Sequence, residues 1–221
     1  MVDPHTGRWQ RKKDARPNEI LDAALTLFVE KGYNATKMED IARAAGVTKG
    51  TPYLYFENKA DIFKEVVRET IVARFNEMQL LLAGFEGCSA ELLGLALDRW
   101  WQDIGSTRSA GLCKLMMAEA TNFPELTQFY YDEVIRPARQ LIGDIVRRGI
   151  ARGEFRDGNV EYAVDTLTAP MLMIMILDHS FALVPGCCET ISRDPHAFLK
   201  TALDLMLGGL QQPVSVKAPH D

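Results

Sequence analysis

The sequence of 221 residues lacks a long apolar run. Its longest apolar stretch, 166–177 between Asp165 and Asp178, has 12 residues and contains a proline, whereas a bilayer-spanning helix needs about 20. The first residues are polar and carry no apolar core of a secretory signal. We therefore expect no membrane segment and a cytoplasmic protein.

Cysteine is scarce, and signatures of catalysis are missing. Motifs such as Gly-x-Ser-x-Gly, His-Glu-x-x-His or a glycine-rich phosphate loop do not occur. The sequence therefore predicts neither enzymatic activity nor a cofactor, and a helical enzyme acting on an apolar substrate is an unfavoured alternative. The four cysteines show no disulfide-framework spacing, which favours reduced thiols: Cys88, Cys113, Cys187 and Cys188.

One group of potential metal ligands surrounds a loop near the carboxyl end. It contains His179, Cys187, Cys188 and His196. Adjacent cysteines are awkward joint ligands for one tetrahedral metal, and no Cys-x-x-Cys pair is present. We predict no metal site, and a metal or redox role for these four residues stays open.

The formal net charge of −5 argues against a uniformly basic nucleic-acid binder. The charge is unevenly distributed, because the first 60 residues hold ten basic and eight acidic side chains, and the remainder holds 15 and 22. Five of the basic residues lie within the first 16. A locally basic end is therefore compatible with the composition.

Helical periodicity runs through the chain from Arg16 onward. Ile20, Ala24, Leu27 and Phe28 form one apolar stripe, and Gly32 can end that helix in a left-handed conformation. Alternating apolar and polar runs typical of strands are essentially absent. We predict an all-α protein in which residues 1–15, polar and without periodicity, form a flexible basic arm.

Residues 36–56 predict two short helices joined by a turn. Thr36 and Glu39 have the spacing of a capping box, and Gly46 ends the first helix. Thr48 then caps a second helix from Lys49 to about Tyr55, and Asn58 caps a third from Lys59. Two short helices around a glycine-containing turn are typical of the helix-turn-helix, whose second helix enters the DNA major groove.

The residue types in this segment suit DNA. Threonine and tyrosine hydroxyls bind phosphates or base edges, lysines bind phosphates, and a glycine allows close approach of the backbone. Pro52 removes one backbone donor, so we expect a local tightening of the second helix. The candidate DNA-binding residues are Thr36, Lys37, Thr48, Lys49, Gly50, Thr51, Tyr53, Tyr55 and Lys59.

Together with Gly32–Thr36, the runs Ile41–Thr51, Tyr53–Phe56 and Asn58-Lys59 resemble the N-terminal domain of TetR/AcrR-type transcriptional regulators. The resemblance extends from about Arg16 to Thr70. It implies a three-helix DNA-binding domain at 16–76 and a larger helical effector-binding and dimerisation domain at 77–221. It also implies DNA contacts by Thr36, Lys49, Thr51, Tyr53, Tyr55 and Lys59.

The resemblance further implies a two-fold dimer formed by the last two helices. The candidates are Val160 to about Phe181, which is apolar on all sides, and Pro195 to about Leu210. A helix that is apolar all round must be buried all round, and a partner subunit would bury its outer side. The candidate dimer residues are Met173, Ile176, Leu177, Leu199, Leu203 and Met206.

For the effector, the sequence offers only a cluster of aromatic and methionine residues in the middle helices, and ordinary core packing is the more common reason for such a cluster. An apolar pocket with few polar anchors would suit a lipophilic or aromatic molecule. Arg99 and Asn122 are further polar candidates. The candidate pocket residues are Trp100, Trp101, Met116, Met117, Glu119, Phe123, Tyr130 and Met171.

These features predict a homodimeric repressor that a small effector releases from a palindromic double-stranded operator. Two-fold symmetry would place the half-sites about one helical turn, or a multiple of it, apart. A DNA-binding regulator that needs no effector is the main alternative. The sequence identifies neither the effector nor the operator.

Overall fold

The computed structural model describes residues 6–181, 184, 186 and 189–211, with the side chains of all of these except 6–16, 81, 190 and 192. Within them the chain is helical, as predicted, and the β-type pairing they contain is an isolated bridge between Phe155 and Gln211. A 3₁₀ turn spans Pro52–Leu54, and π-helical segments span Arg68–Val72, Trp101–Gly105 and Tyr131–Ile135. The α-helices are α1 (Thr6–Lys31), α2 (Met38–Ala44), α3 (Lys59–Val67), α4 (Ala73–Ala83), α5 (Ser89–Trp100), α6 (Ala110–Glu119), α7 (Pro124–Tyr130), α8 (Arg136–Ala151), α9 (Val160–Ser180), α10 (Glu189–Arg193) and α11 (Pro195–Leu210).

The expected flexible arm is partly wrong. Helix α1 begins at Thr6, so residues 6–15 are helical, while residues 1–5 lie outside the described part of the chain. Six of its ten residues, two arginines, two lysines, one glutamine and one alanine, have high helix propensity although they form no apolar stripe. Absence of periodicity therefore did not mean absence of a helix.

Two glycines end helices at the expected positions. Gly32 follows α1 with φ +84°, and Gly46 follows α2 with φ +67°, a left-handed conformation that glycine adopts without the steric cost of a Cβ. The expected bounds of the two carboxyl-terminal helices also agree with α9 and α11.

The first of two compact units comprises the residues up to Phe75 together with Ile104–Ile135. Its core is aromatic: the rings of Phe28, Tyr33 and Phe63 lie 5.5–5.6 Å apart, and Phe123 packs edge-to-face on Tyr33 at 4.7 Å. Edge-to-face packing is the favoured geometry for aromatic pairs. This core therefore joins the predicted DNA-binding helices to the loop between α6 and α7.

Ion pairs reinforce the same connection. Arg68 donates two hydrogen bonds to the Glu133 carboxylate, at 2.9 and 2.7 Å, and Lys64 lies 2.9 Å from Glu125. The Arg68 guanidinium holds the pKa of Glu133 below its ordinary value. Residues 104–135 thus belong to the compact unit of the DNA-binding helices, a grouping that the predicted boundary near residue 76 did not include.

The second compact unit comprises Asn76–Asp103 and the residues from Arg136 onward. Helices α5, α8, α9 and α11 pack together in it. Ile174 of α9 and Leu199 of α11 are fully buried. Arg148 of α8 donates to the carbonyls of Phe85 and Gly87, which fixes the turn before α5.

Candidate nucleic-acid interface

The helix-turn-helix starts with α2, which packs on α1 through its buried residues Ile41 and Ala42. After Gly46, the Val47 amide donates to the Ala42 carbonyl at 2.9 Å, so the turn closes on the end of α2. The predicted Thr36–Glu39 capping box is wrong. Lys37 occupies the position before α2, where no side chain caps the helix.

The second element is a 3₁₀ turn, Pro52–Leu54, in place of the predicted helix from Lys49 to Tyr55. Its hydrogen bonds run from the Thr51 amide to the Thr48 carbonyl and from the Leu54 amide to the Thr51 carbonyl. Proline has no N–H with which to continue an α-helical ladder. Pro52 therefore explains why this segment is tighter than an α-helix. The sequence predicted a local tightening at Pro52, but not that the whole helix would be replaced by a 3₁₀ turn.

Five of the nine candidate DNA-binding residues are exposed, Lys37 before α2 and four others in or just before the 3₁₀ turn: Thr48, Lys49, Gly50 and Tyr53. The Lys49 side chain is 70% exposed, and its ammonium lies 2.5 Å from the Glu39 carboxylate. That contact raises the pKa of Lys49 and lowers the pKa of Glu39. Lys49 is therefore a charged side chain at the surface, held by a solvent-exposed partner that a phosphate can replace.

Two threonines face inward instead. Thr36 is fully buried, and its hydroxyl donates to the Gly32 carbonyl at 2.8 Å and the Leu27 carbonyl at 3.2 Å. Thr51 is also buried, with its hydroxyl 2.8 Å from that of Thr48. In this geometry Thr36 and Thr51 stabilise the fold, and the expectation that their side chains contact DNA does not fit.

Lys59 also has an internal role. Its ammonium donates to the Tyr33 carbonyl at 2.6 Å and the Thr36 carbonyl at 2.7 Å, with a longer contact to Asn34 at 3.4 Å. The same ammonium lies 4.3 Å from the centre of the Tyr33 ring, a cation–π contact. Burial lowers the pKa of Lys59, and the nearby Glu119 carboxylate opposes that effect. Lys59 therefore holds the turn between α1 and α2, where the sequence had indicated a phosphate contact.

One exposed residue of the turn was missed. Leu54 is 77% exposed beside Tyr53, which is 53% exposed. A 3₁₀ helix has three residues per turn, so Pro52 and Tyr55 share the inner side, and Tyr53 and Leu54 point outward. Pro52 could have indicated this exposure from the sequence. It favours three residues per turn over 3.6, and the number of residues per turn decides which side chains point outward.

The candidate effector residues are divided between the two units. Trp100, Trp101 and Met171 belong to the second, and the other five belong to the first. Met117 is 47% exposed, whereas Trp100, Met116 and Tyr130 are buried. Cavities of about 360 Å³ by α8, α9 and α11, and about 700 Å³ by α1 and α3, are lined by other residues.

The polar candidates for that pocket have local partners. Asn122 donates to the Glu119 carboxylate at 3.0 Å. Arg99 lies 2.6 Å from Asp103, one helical turn away. An effector that used these groups would have to replace these contacts.

Helices α9 and α11 expose apolar side chains. Met173 is 49% exposed and Leu205 is 73% exposed, while Ile176, Leu177, Leu203 and Met206 are half-buried. Leu199 is only 1% exposed. It belongs to the core of its own unit, so its assignment to a dimer interface is wrong.

Helix α9 also differs from the expectation of no membrane-length segment. By length and composition alone its 21 residues could cross a membrane, with a mean hydropathy of 1.5 over 18 residues, of which 22% are buried. Apolar core helices of globular proteins meet the same criterion. The chain therefore leaves much of a strongly apolar helix uncovered.

The four residues whose metal or redox role the sequence leaves open are only partly described. His196 lies 2.8 Å from Asp98 and stacks nearly parallel to Trp101, and His179 lies on α9. Cys187 and Cys188 lie outside the described residues. Among those that are described, no three histidine, cysteine or carboxylate side chains are arranged to hold a metal ion.

Comparison with known proteins identifies the family. Residues 20–66 match the profile "Bacterial regulatory proteins, tetR family", and residues 87–193 match "Tetracyclin repressor-like, C-terminal domain". The chain belongs to the TetR family. It is a DNA-binding transcriptional regulator, and a ligand-responsive repressor is the function that the family matches support.

Two curated relatives of this TetR-family chain cover most of its length. It is 28% identical to the fatty acid metabolism regulator protein of Bacillus subtilis over 200 residues, which cover 90% of this chain and 98% of the relative. It is 31% identical to the transcriptional repressor KstR2 of Rhodococcus jostii over 153 residues, which cover 68% of this chain and 74% of the relative.

Solved structures agree in fold. A transcriptional regulator from Saccharomonospora viridis in complex with choline has a TM-score of 0.72 at 22% identity and covers 91% of this chain and 100% of its own. The regulator FadR of Bacillus subtilis in complex with stearoyl-CoA has a TM-score of 0.64 at 22% identity and covers 86% and 97%. At this identity the likeness concerns the fold.

The geometry at Lys59 yields a prediction that separates stability from DNA binding. Lys59→Met keeps the aliphatic stem but removes the hydrogen bonds to the backbone, so we expect a loss of roughly 2 kcal/mol in the free energy of unfolding, measured by urea denaturation. The dependence of DNA affinity on salt should stay unchanged under conditions where the variant is folded. If the slope fell and stability did not, Lys59 would be a phosphate contact.

Proposed function

We propose that the chain acts as a homodimeric repressor that binds a palindromic operator through the exposed residues of its helix-turn-helix and releases it when a lipophilic effector binds. The observation that carries the DNA-binding part is the exposed surface formed by Lys37, Thr48, Lys49, Gly50 and Tyr53. It offers two cations, hydroxyl groups and open backbone, with Lys37 just before α2 and the other four residues after it. These are the groups that position a protein on phosphates and base edges.

Exposed apolar surface on α9 and α11 supports dimerisation. Leu172, Met173 and Leu205 are between 37% and 73% exposed on helices that bury only some of their residues in the core. Large contiguous apolar patches mark interfaces. A second copy covering these helices would remove that surface from water, and its two-fold axis would place two recognition turns on a palindrome.

An acyl chain is our leading proposal for the effector. The fatty acid metabolism regulator of Bacillus subtilis aligns over nearly its whole length, and the structure of the regulator FadR from the same species holds stearoyl-CoA. The choline complex of the Saccharomonospora viridis regulator makes a small cation the principal competing class. For this chain both remain proposals to be tested side by side.

Contacts inside the first unit suggest how an effector signal reaches DNA. Phe123 packs on Tyr33, whose carbonyl accepts from Lys59 at the start of α3, and Glu133 holds Arg68 at the end of α3. A displacement of the segment 104–135 would therefore move both ends of α3. An effector that favours the displaced state would lower operator affinity by its differential affinity for the two states.

The DNA-binding surface is tested with Lys49→Ala and the duplex upstream of the protein's own gene. We expect about tenfold weaker binding by fluorescence anisotropy. The salt slope should fall by about 0.9 for each lost phosphate contact, hence by about 1.8 for a dimer. Arg147→Ala, which removes an exposed cation from α8, is the control and should change neither quantity. Unchanged affinity for Lys49→Ala would remove Lys49 from the interface.

The dimer is tested with Met173→Glu, because burying a carboxylate in an apolar interface is costly. We expect monomers in analytical ultracentrifugation and at least tenfold weaker operator binding, with helix content unchanged by circular dichroism. Leu80→Glu on α4, at an apolar side chain that is 80% exposed against 49% for Met173, should remain dimeric. A dimeric Met173→Glu protein would place the interface elsewhere.

The effector is tested by adding stearoyl-CoA, free coenzyme A or choline to the protein–operator complex. We expect stearoyl-CoA to weaken operator affinity at least tenfold. It should also raise the melting temperature of the protein, because a ligand that binds the folded state stabilises it. Coenzyme A and choline should change neither quantity. Release by choline would replace the acyl proposal. If none of a wider lipophilic panel changed DNA affinity, the effector-independent regulator would be favoured.

A further inference from the structure

The 3₁₀ turn presents an apolar side chain where the sequence had indicated a hydroxyl. Thr51 and Pro52 are buried, whereas Tyr53 and Leu54 are 53% and 77% exposed. Base contacts from this turn must therefore come from Tyr53 and Leu54. The Thr51 hydroxyl is already bonded to Thr48 and cannot reach outward without breaking that bond.

Leucine has only one kind of partner in the major groove. It neither donates nor accepts hydrogen bonds, so it cannot distinguish the polar edges of the bases. Thymine alone presents an apolar group there, the C5-methyl, which apolar side chains contact. Tyr53 and Leu54 are consecutive exposed residues. The tyrosine hydroxyl can therefore contact a polar base edge, and the leucine can contact a thymine methyl group.

We infer that Leu54 is a specificity-determining residue of the operator complex and that it contacts the C5-methyl group of a thymine in each half-site. The inference rests on the proposed use of this surface for DNA. The neighbouring exposed Lys49 places the segment on the phosphate backbone, and Leu54 adds sequence preference at one position. Because the side chain is exposed, its removal costs little in folding.

The experiment compares thymine with uracil, which differ by that methyl group alone. A preferred operator is selected from a random duplex library with the wild-type protein, and duplexes are then made with uracil at each thymine in turn. We expect uracil at one position per half-site to weaken wild-type binding about tenfold, a free-energy change of about 1.4 kcal/mol. Leu54→Ala should bind the thymine duplex about tenfold more weakly and lose nothing further on the uracil duplex.

Two variants complete the design. The affinity of Lys49→Ala should fall by the same factor for the thymine duplex and for the uracil duplex, since a phosphate contact does not sense the methyl group. The affinity of Leu80→Ala should be unchanged for both duplexes. Equal losses for Leu54→Ala on both duplexes, or no loss, would overturn the assignment while leaving the proposed function standing. Failure of the wild-type protein to select any sequence would instead overturn the proposed function. Repeating the selection with Leu54→Ala should remove the thymine preference at that position.

Discussion

The geometry of the DNA-binding unit depends on the Lys59 ammonium. One charge at the start of α3 binds carbonyls of the turn between α1 and α2 and lies over the Tyr33 ring. These carbonyls follow the last turn of α1, where backbone acceptors otherwise lack partners. These hydrogen bonds join Lys59 to Tyr33, 26 residues earlier in the chain, and to Thr36, 23 residues earlier. They therefore fix the angle at which α2 leaves α1. The surface presented by α2 and the 3₁₀ turn follows from that angle.

The same residues extend this constraint towards α6 and α7. The Tyr33 ring contacts both the Lys59 ammonium and the Phe123 ring, so the aromatic core is shared by the DNA-binding helices and the segment 104–135. Close-packed rings do not slide independently. The first unit therefore needs no separate element to connect its two parts. Tyr33, which binds Lys59, also contacts Phe123 in the loop between α6 and α7.

The elements of this chain were more predictable than the directions of its side chains. Periodicity and glycine positions located α9, α11 and the ends of α1 and α2, because these depend on local spacing and on φ values that favour glycine. Thr36 and Lys59 were misread, since their partners lie across the fold and both residue types suit phosphates equally well. Leu54 was missed because its exposure depends on a 3₁₀ period that Pro52 imposes. Leu199 was wrongly assigned to the dimer interface, because one apolar side of α11 faces its own core.

Charge pairing within the DNA-binding unit bears on how the operator is distinguished from other DNA. Lys59 is bound to carbonyls, Arg43 pairs with Asp40, and Lys49 pairs with Glu39, so three of the ten basic residues near the amino end have partners inside the protein. Non-specific affinity comes from phosphate contacts and grows with their number. Pairs of this kind must be exchanged for each phosphate contact, so operator binding has to draw on base contacts and on two-fold repetition as well. Operator affinity therefore depends more on the exposed pair Tyr53 and Leu54, and on the exposed apolar side chains of α9, than on the overall charge of −5.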